Sequence, residues 1–133
     1  MKISILLPYK ENFTHEAAGA VSLFVHQIWN VSKYKKKITI FGNTNYKKYL
    51  NKNYKNIKFE KNIFRSSSKN YVDNFLKDTE VINSDIIEVH NRPNYIKFIK
   101  KNFTKKVSLY FHNDPLSMDG SRSIQDRMSH PLI

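Results

Sequence analysis

Short apolar runs separated by longer amphipathic segments form the pattern of this chain. Such runs, when bounded by turn-forming residues, are typical of strands buried in a sheet. The predicted strands are 2–8, 37–41, 57–60, 85–90 and 106–112, and 57–60 has the weakest pattern. A length of 133 residues is enough for one domain with its own core and too short for two.

Between the strands, apolar residues recur at the spacing of an α-helix, so one face of each segment is expected to pack on the sheet. The first predicted helix spans 15–33, and Thr14 is placed to cap its start. A second covers 71–81, and a third begins at Pro93, because proline suits the first helical turn. Two further short helices are predicted at 46–50 and 121–128.

The alternation of strands and helices determines the expected fold class. It implies βαβ units with right-handed crossovers, and therefore an α/β, Rossmann-like, mainly parallel sheet with helices on both faces. Such sheets bind ligands at the carboxyl ends of their strands. Candidate functional residues are therefore sought directly after the strands, in 9–19, 42–43, 90–92 and 112–114.

Lysine dominates the charged residues and gives the chain a net charge of +12. The stretch 33–61 holds ten lysines and one acidic residue, Glu60. One interpretation is a surface for anionic membrane or nucleic acid, and the other is a solvated face whose lysines reflect AT-rich coding DNA. Only four arginines occur and nucleic-acid-binding motifs are absent, so nucleic acid is not the expected partner.

The chain contains no cysteine, which excludes a disulfide framework, a thiol nucleophile and a zinc–thiolate centre. Paired-histidine metal motifs, phosphate loops and nucleophile elbows are also absent, and no cofactor or metal is expected. The apolar runs are too short for a secretory signal or a membrane span. The protein is expected in the cytoplasm, free or bound peripherally to the inner face of the membrane.

The segment from Glu16 to Ala20, which opens the first long helix, is the first candidate site. Its small residues let a ligand approach the backbone, and a helix N-terminus offers free N–H groups to an anion. The alternative interpretation is that small residues serve close packing of helix on sheet. The G-x-G-x-x-G fingerprint of dinucleotide sites is absent.

Two polar tips that directly follow predicted strands form the second candidate site. They are His90-Asn91-Arg92 and His112-Asn113-Asp114. Imidazole and amide groups can hydrogen-bond hydroxyls, and a guanidinium can bind negative charge. The alternative is structural, with helix capping in the first tip and turn formation in the second. Two histidine-bearing tips at the same end of one sheet favour a site.

The ordered set of these motifs resembles the N-terminal half of family-4 glycosyltransferases, which are retaining enzymes of the GT-B fold. The resemblance covers roughly residues 2–128, and 44–70 matches least. The segments that carry it are KISILLP, EAAGAVSLFVHQIW, KITIFGN, DIIEVHNRPNYI and VSLYFHNDPLSMDGS, of which VHNRP and FHNDP are the most specific.

The resemblance implies a division of labour between two domains. This chain, over 1–133, would be the acceptor-side N-terminal domain, and it is expected to end before the domain that holds the nucleotide sugar, usually through an E-x7-E pair. The donor phosphates would approach Glu16, Gly19 and Ala20. Many members have paired glycines in this loop, whereas Gly19 lies between two alanines.

The resemblance also implies roles for the two polar tips and for partners. His112 would act in catalysis by contacting the donor sugar. The chain alone is expected to be inactive, with a nucleotide-sugar donor and a glycan or lipid-linked acceptor as the partners of the whole enzyme. The alternative function is a basic Rossmann-like binding module without catalysis. The implied acceptor-binding residues are His90, Asn91, Arg92, Asn113 and Asp114.

Overall fold

Five parallel strands form the sheet in the part of the chain that the structure describes. The computed structural model describes residues 1–60 and 64–113. The strands are all parallel, in the order β3-β2-β1-β4-β5, so the predicted α/β, Rossmann-like fold is confirmed. Their bounds are β1 (Ile3–Leu6), β2 (Ile38–Gly42), β3 (Tyr54–Asn56), β4 (Ile86–His90) and β5 (Lys106–Tyr110).

Helices cover both faces of the sheet. Because successive residues of a strand face opposite sides, Ile5 shares a core with Val25 of the first helix, while Leu6 shares another with Phe75 and Ile99 of later helices. Short 3-10 turns lie at Lys35–Lys37, before β2, and at Pro93–Tyr95, before the helix that begins at Ile96. The helices are α1 (Ala20–Val31), α2 (Ser67–Leu76), α3 (Thr79–Ile82) and α4 (Ile96–Lys100).

The first helix begins at Ala20 rather than at residue 15. Thr14 does not cap it, because its hydroxyl oxygen accepts a hydrogen bond from the Ala17 amide at 3.3 Å and its backbone pairs with Tyr49 in an antiparallel bridge. Gly19 occupies the N-cap position instead. The residues before it therefore form a turn at the carboxyl end of the sheet.

The third strand and the loop before it also differ from the prediction. Strand β3 begins at Tyr54 rather than at residue 57, because the Tyr54 ring is buried and stacks on Phe13 with 5.2 Å between the ring centroids. No helix forms over 46–50. Instead, the Leu50 amide donates a hydrogen bond to the Phe13 carbonyl at 3.1 Å, which ties this loop to the loop after β1.

The remaining helices follow the predicted pattern with different ends. The segment predicted as one helix over 71–81 is two helices, α2 and α3, whose separate N-caps are Ser66 and Asp78. Both side chains accept a hydrogen bond from a backbone amide of the first turn, which favours a helix start. The helix predicted at 121–128 lies outside the described residues.

Two buried tyrosines fix the loop that leaves β1. The Tyr71 hydroxyl donates a hydrogen bond to the Leu7 carbonyl at 2.6 Å, and the Tyr9 amide donates to the Tyr95 hydroxyl at 3.0 Å. Burial raises the pKa of both phenols above the ordinary value, so both hydroxyls stay protonated at neutral pH. The loop after β1 is therefore anchored to the helices of one face where it enters the carboxyl end of the sheet.

Within the two described ranges, no helix combines the length and the apolar character that a membrane span requires.

Candidate functional site

A hydrogen-bonded chain of three side chains lies at the carboxyl ends of β4 and β5. His90 Nδ1 is 2.9 Å from His112 Nε2, and His90 Nε2 is 2.5 Å from Glu88 Oε1. The contact arises because β4 and β5 are parallel neighbours with His90 beside Tyr110, which brings the residue two positions later within reach. The structure therefore joins the two histidines that the sequence singled out and adds Glu88 to them.

The Glu88 carboxylate determines how the two imidazoles share their protons. When Glu88 is ionised, it accepts the Nε2–H of His90, so a neutral His90 has an unprotonated Nδ1. That nitrogen accepts the Nε2–H of His112, and Nδ1 of His112 is left as a hydrogen-bond acceptor. A proton added to His112 would make its Nδ1 a donor.

His112 is partly buried between aromatic side chains. The Phe24 ring of α1 meets it edge-on at 4.8 Å between centroids, and the Tyr110 ring lies at 5.0 Å. Desolvation and, after it, the neighbouring His90 lower the pKa of His112 below the ordinary 6.5, while the carboxylates of Glu11 and Glu88 act in the opposite direction. His112 is therefore neutral at pH 7, with a polar edge that can hydrogen-bond a ligand.

Glu11 occupies part of the N-terminus of α1. Its Oε2 accepts hydrogen bonds from the Ser22 hydroxyl at 2.7 Å and from the Ser22 amide at 3.3 Å. A Cβ on Gly19 would lie 2.6 Å from the same oxygen, so only glycine lets the carboxylate sit there. The amides of Ala20 and Val21 have no partner among the described residues. The helix start therefore keeps two donors for an anion, beside a resident negative charge.

Glu16, predicted to line the same loop, is exposed. It forms no hydrogen bond or ion pair with any residue in the described part of the chain. Gly19 is half-buried and Ala20 is exposed, so these two remain accessible at the helix start.

Asn91 holds the two polar tips together. Its backbone has φ 58°, a left-handed conformation that asparagine adopts more readily than most residues. Its Oδ1 accepts the amide hydrogens of His112 at 3.2 Å and Asn113 at 3.3 Å, and its own amide donates to the Tyr110 carbonyl at 2.8 Å. Asn91 is only 5% exposed. Its contacts give it a positioning role for the loop that carries His112.

The other residues predicted to bind the acceptor differ in accessibility. His90 is 1% exposed, so its ring reaches a ligand only through His112. Arg92 is partly buried and donates from Nη1 to the Asn91 carbonyl at 2.7 Å. Asn113 is exposed beside His112. Asp114 lies outside the described residues.

A second polar recess lies at the same edge of the sheet, at the carboxyl ends of β1, β2 and β3. We call it the lysine–amide cleft. It consists of two recesses of about 320 Å³ and about 330 Å³ that share the lining residues 43–46. The lining residues used below are Lys10, Asn12, Asn43, Thr44, Asn45, Tyr46, Lys47, Asn56, Lys58 and Phe59.

Comparison with known proteins leaves the family assignment untested. No family model matches this chain, and no curated protein or solved structure shows significant similarity to it. The family-4 glycosyltransferase assignment therefore stays a prediction, which depends on the residues quoted above and on the geometry of the site.

Sequence reasoning missed Glu88, Glu11 and the lysine–amide cleft. Glu88 had a usable signal, because residues two apart in a strand face the same side, which places it beside His90. Glu11 had none, since its contact with Ser22 depends on the path of the intervening turn. The turn Gly42-Asn43 was recognised at the end of a strand, but the loop contacts that build a recess around it were not predictable from spacing.

Proposed function

We propose that this chain is the acceptor-side, N-terminal domain of a retaining glycosyltransferase that uses a nucleotide-sugar donor. The observation that carries the proposal is the 2.9 Å contact between His90 and His112 at the carboxyl end of a parallel sheet. Glu11 accepts a hydrogen bond from the Ser22 amide at the N-terminus of α1, and its carboxylate raises the pKa of His112. A donor lying across the two would have its phosphates at Ala20 and its sugar at His112.

The chemistry of glycosyl transfer fits such a division. The reaction needs donors for a departing diphosphate and polar contacts that hold the sugar ring in line with the acceptor. The free amides of α1 supply some of the donors for the diphosphate. A neutral His112 accepts a hydrogen bond at Nδ1 and so binds a sugar hydroxyl. Most of the donor contacts belong to a second domain under this proposal. The chain alone therefore gives negligible turnover of UDP- or GDP-sugars.

The distribution of lysines favours this function over a basic nucleic-acid-binding module. Lys35–Lys37 lie before β2, at the amino end of the sheet, whereas Lys47 and Lys58 lie at the carboxyl end. Lys55 is paired with Asp78 at 2.7 Å. The lysine-rich stretch is therefore divided between two ends of the molecule, and a nucleic-acid strand needs a continuous positive surface. Salt-dependent retention on immobilised nucleic acid would support the alternative.

A substitution in the encoding organism tests the proposed function with the protein in its natural context. His112→Gln should abolish or strongly reduce one lipid-linked or surface glycan, measured by glycan profiling at equal protein level. The matched control is His15→Gln, because His15 is exposed and precedes α1. An unchanged glycan profile in the His112→Gln cells, with the protein present, would contradict the proposal.

A further inference from the structure

The lysine–amide cleft is separate from the residues assigned to the donor. It opens between the loop after β1 and the loop after β2, with Lys10 and Asn12 on one side and Asn43 to Tyr46 on the other. Each of its two recesses is within the size range of ligand sites, which is about 300–1,000 Å³. Lys10 and Asn12 flank Glu11, whose carboxylate accepts the Ser22 hydroxyl of α1, so one wall of the cleft belongs to the same loop as a residue of the proposed donor site.

The amide side chains of the cleft are held in fixed orientations. Asn12 Oδ1 accepts the Thr44 hydroxyl at 2.7 Å, and Asn43 Nδ2 donates to the Ile57 carbonyl at 2.8 Å. Asn56 exchanges hydrogen bonds with the Thr44 backbone at 2.9 and 3.1 Å. In the described part of the chain, the side-chain atoms Nδ2 of Asn12 and Oδ1 of Asn43 have no hydrogen-bond partner. One donor and one acceptor are thus presented to the cleft at little cost in ordering.

The charged residues among the described lining of the cleft are all lysines. Lys10, Lys47 and Lys58 line it, and no acidic residue does among the lining residues that the structure describes. None of the three forms an ion pair with another described residue. Three lysines without carboxylate partners around a concave surface attract an anion and hold it there.

Aromatic side chains complete the lining. Tyr46 is 40% exposed at the rim, and Phe59 lines the second recess. The apolar face of a sugar ring packs on such groups, while its hydroxyls both donate and accept hydrogen bonds, as the amides require. A free inorganic anion would use the lysines and leave the aromatic and amide groups unused.

We infer that the lysine–amide cleft binds an anionic saccharide, a sugar that carries a carboxylate or a phosphate. The inference rests on the proposed function, since this saccharide would be the acceptor, or the sugar unit of the acceptor that lies nearest to the donor. The sugar hydroxyls bind Asn12 and Asn43, the ring packs on Tyr46, and the anionic group lies between Lys47 and Lys58.

Binding to the purified 133-residue chain tests the inference, followed by NMR of backbone and side-chain amides. Trigalacturonate supplies the carboxylate and glucose 1-phosphate the phosphate, so the two ligands distinguish the source of the charge. Maltotriose controls for a neutral saccharide, and inorganic phosphate for an anion alone. We expect one of the two anionic saccharides to bind more tightly than both controls and to shift the Asn12, Asn43 and Asn45 signals.

Matched lysine variants separate the cleft from general attraction to a basic protein. The double variant Lys47→Gln/Lys58→Gln should weaken binding about fivefold, the usual effect of two exposed ion pairs. Lys36→Gln/Lys37→Gln removes the same number of charges at the other end of the sheet. Because neither lysine lines the cleft, this variant should change binding less than twofold.

Four results would overturn the inference. They are no binding of either anionic saccharide, equal binding of maltotriose, equal binding of inorganic phosphate, and equal losses in the two lysine double variants. If one of these occurs while His112→Gln still removes a glycan in cells, only the assigned acceptor chemistry is wrong. If the glycan is unaffected, the glycosyltransferase proposal itself fails.

Discussion

His90 Nδ1 lies 2.9 Å from His112 Nε2, although 22 positions separate the two residues in the sequence. The pairing of β4 with β5 brings them together, and Glu88 on the same face of β4 completes the chain of hydrogen bonds. The buried His90 therefore connects a carboxylate to the more accessible His112. This connection sets the tautomer of the ring that we assign to the donor sugar, and it contributes to the proton affinity that desolvation mainly lowers.

Replacing Glu88 should change the titration of His112. Glu88→Gln removes a negative charge that raises the pKa of His112, so that pKa should fall further below 6.5. Ring signals of His112, followed by NMR across a pH titration, measure it. Glu80→Gln is the control, because the Glu80 side chain is 45% exposed and pairs with Lys2 at 3.7 Å. A His112 pKa that responds equally to both substitutions would refute the role of Glu88.

Acid should destabilise the protein partly through His112. The pKa of His112 is lowered in the folded state, so the unfolded chain takes up a proton near pH 6.5 while the folded protein does not. Stability therefore falls as pH decreases below 6.5, and the loss levels off below the folded pKa. Urea unfolding between pH 5 and about pH 8 measures this. As the pH falls, the free energy of unfolding should decrease more steeply for the wild type than for His112→Gln. Parallel curves would contradict this.

Substitution of Gly19 should act through Glu11. A Cβ at Gly19 would lie 2.6 Å from Glu11 Oε2 and displace it from Ser22, so Gly19→Ala should cost about 1–2 kcal/mol of unfolding free energy. In a Glu11→Ala background, Gly19→Ala should cost less unfolding free energy, because only the general preference of the N-cap position for glycine over alanine remains. Chemical denaturation of the four proteins in this cycle measures the coupling. Additive costs would show that Glu11 and Gly19 are independent.

Asn91 should tolerate glycine better than alanine. Asn91→Gly loses the acceptor for the His112 and Asn113 amides, whereas Asn91→Ala also pays about 1 kcal/mol for its left-handed backbone. At Asn83, which is exposed and has φ −89°, alanine should cost no more than glycine. Denaturation midpoints of the four variants test the reversal. The same order at both positions would contradict the left-handed backbone of Asn91.

The sequence predicted the sheet and the meeting of its two histidine tips, because both follow from local patterns. Apolar runs specify buried strands, and parallel pairing brings the ends of neighbouring strands together. The prediction was wrong where a long-range contact decided the local structure. Thr14 pairs with Tyr49, so α1 begins later in the chain than predicted. Tyr54 stacks on Phe13, so β3 begins earlier than predicted.

The lysine–amide cleft shows the same limit for the site. Its walls come from two loops joined by the bond from Thr44 to Asn12, which are 32 residues apart. Neither loop has a helical or strand period that would reveal its path. Each asparagine on its own is typical turn chemistry, and only the folded chain gathers them around one recess.

The ring nitrogens of His112 offer the most direct test of the central claim, that this imidazole contacts the donor sugar. Nitrogen-15 NMR near neutral pH should find His112 protonated at Nε2 and unprotonated at Nδ1. Adding UDP-glucose or GDP-mannose in excess should shift the Nδ1 signal of His112, as that atom accepts a hydroxyl hydrogen, and leave His15 unchanged. The claim is contradicted if Nδ1 of His112 carries the proton, or if a nucleotide sugar shifts the backbone amide signals of Ala20 and Val21 and leaves the Nδ1 signal of His112 unmoved.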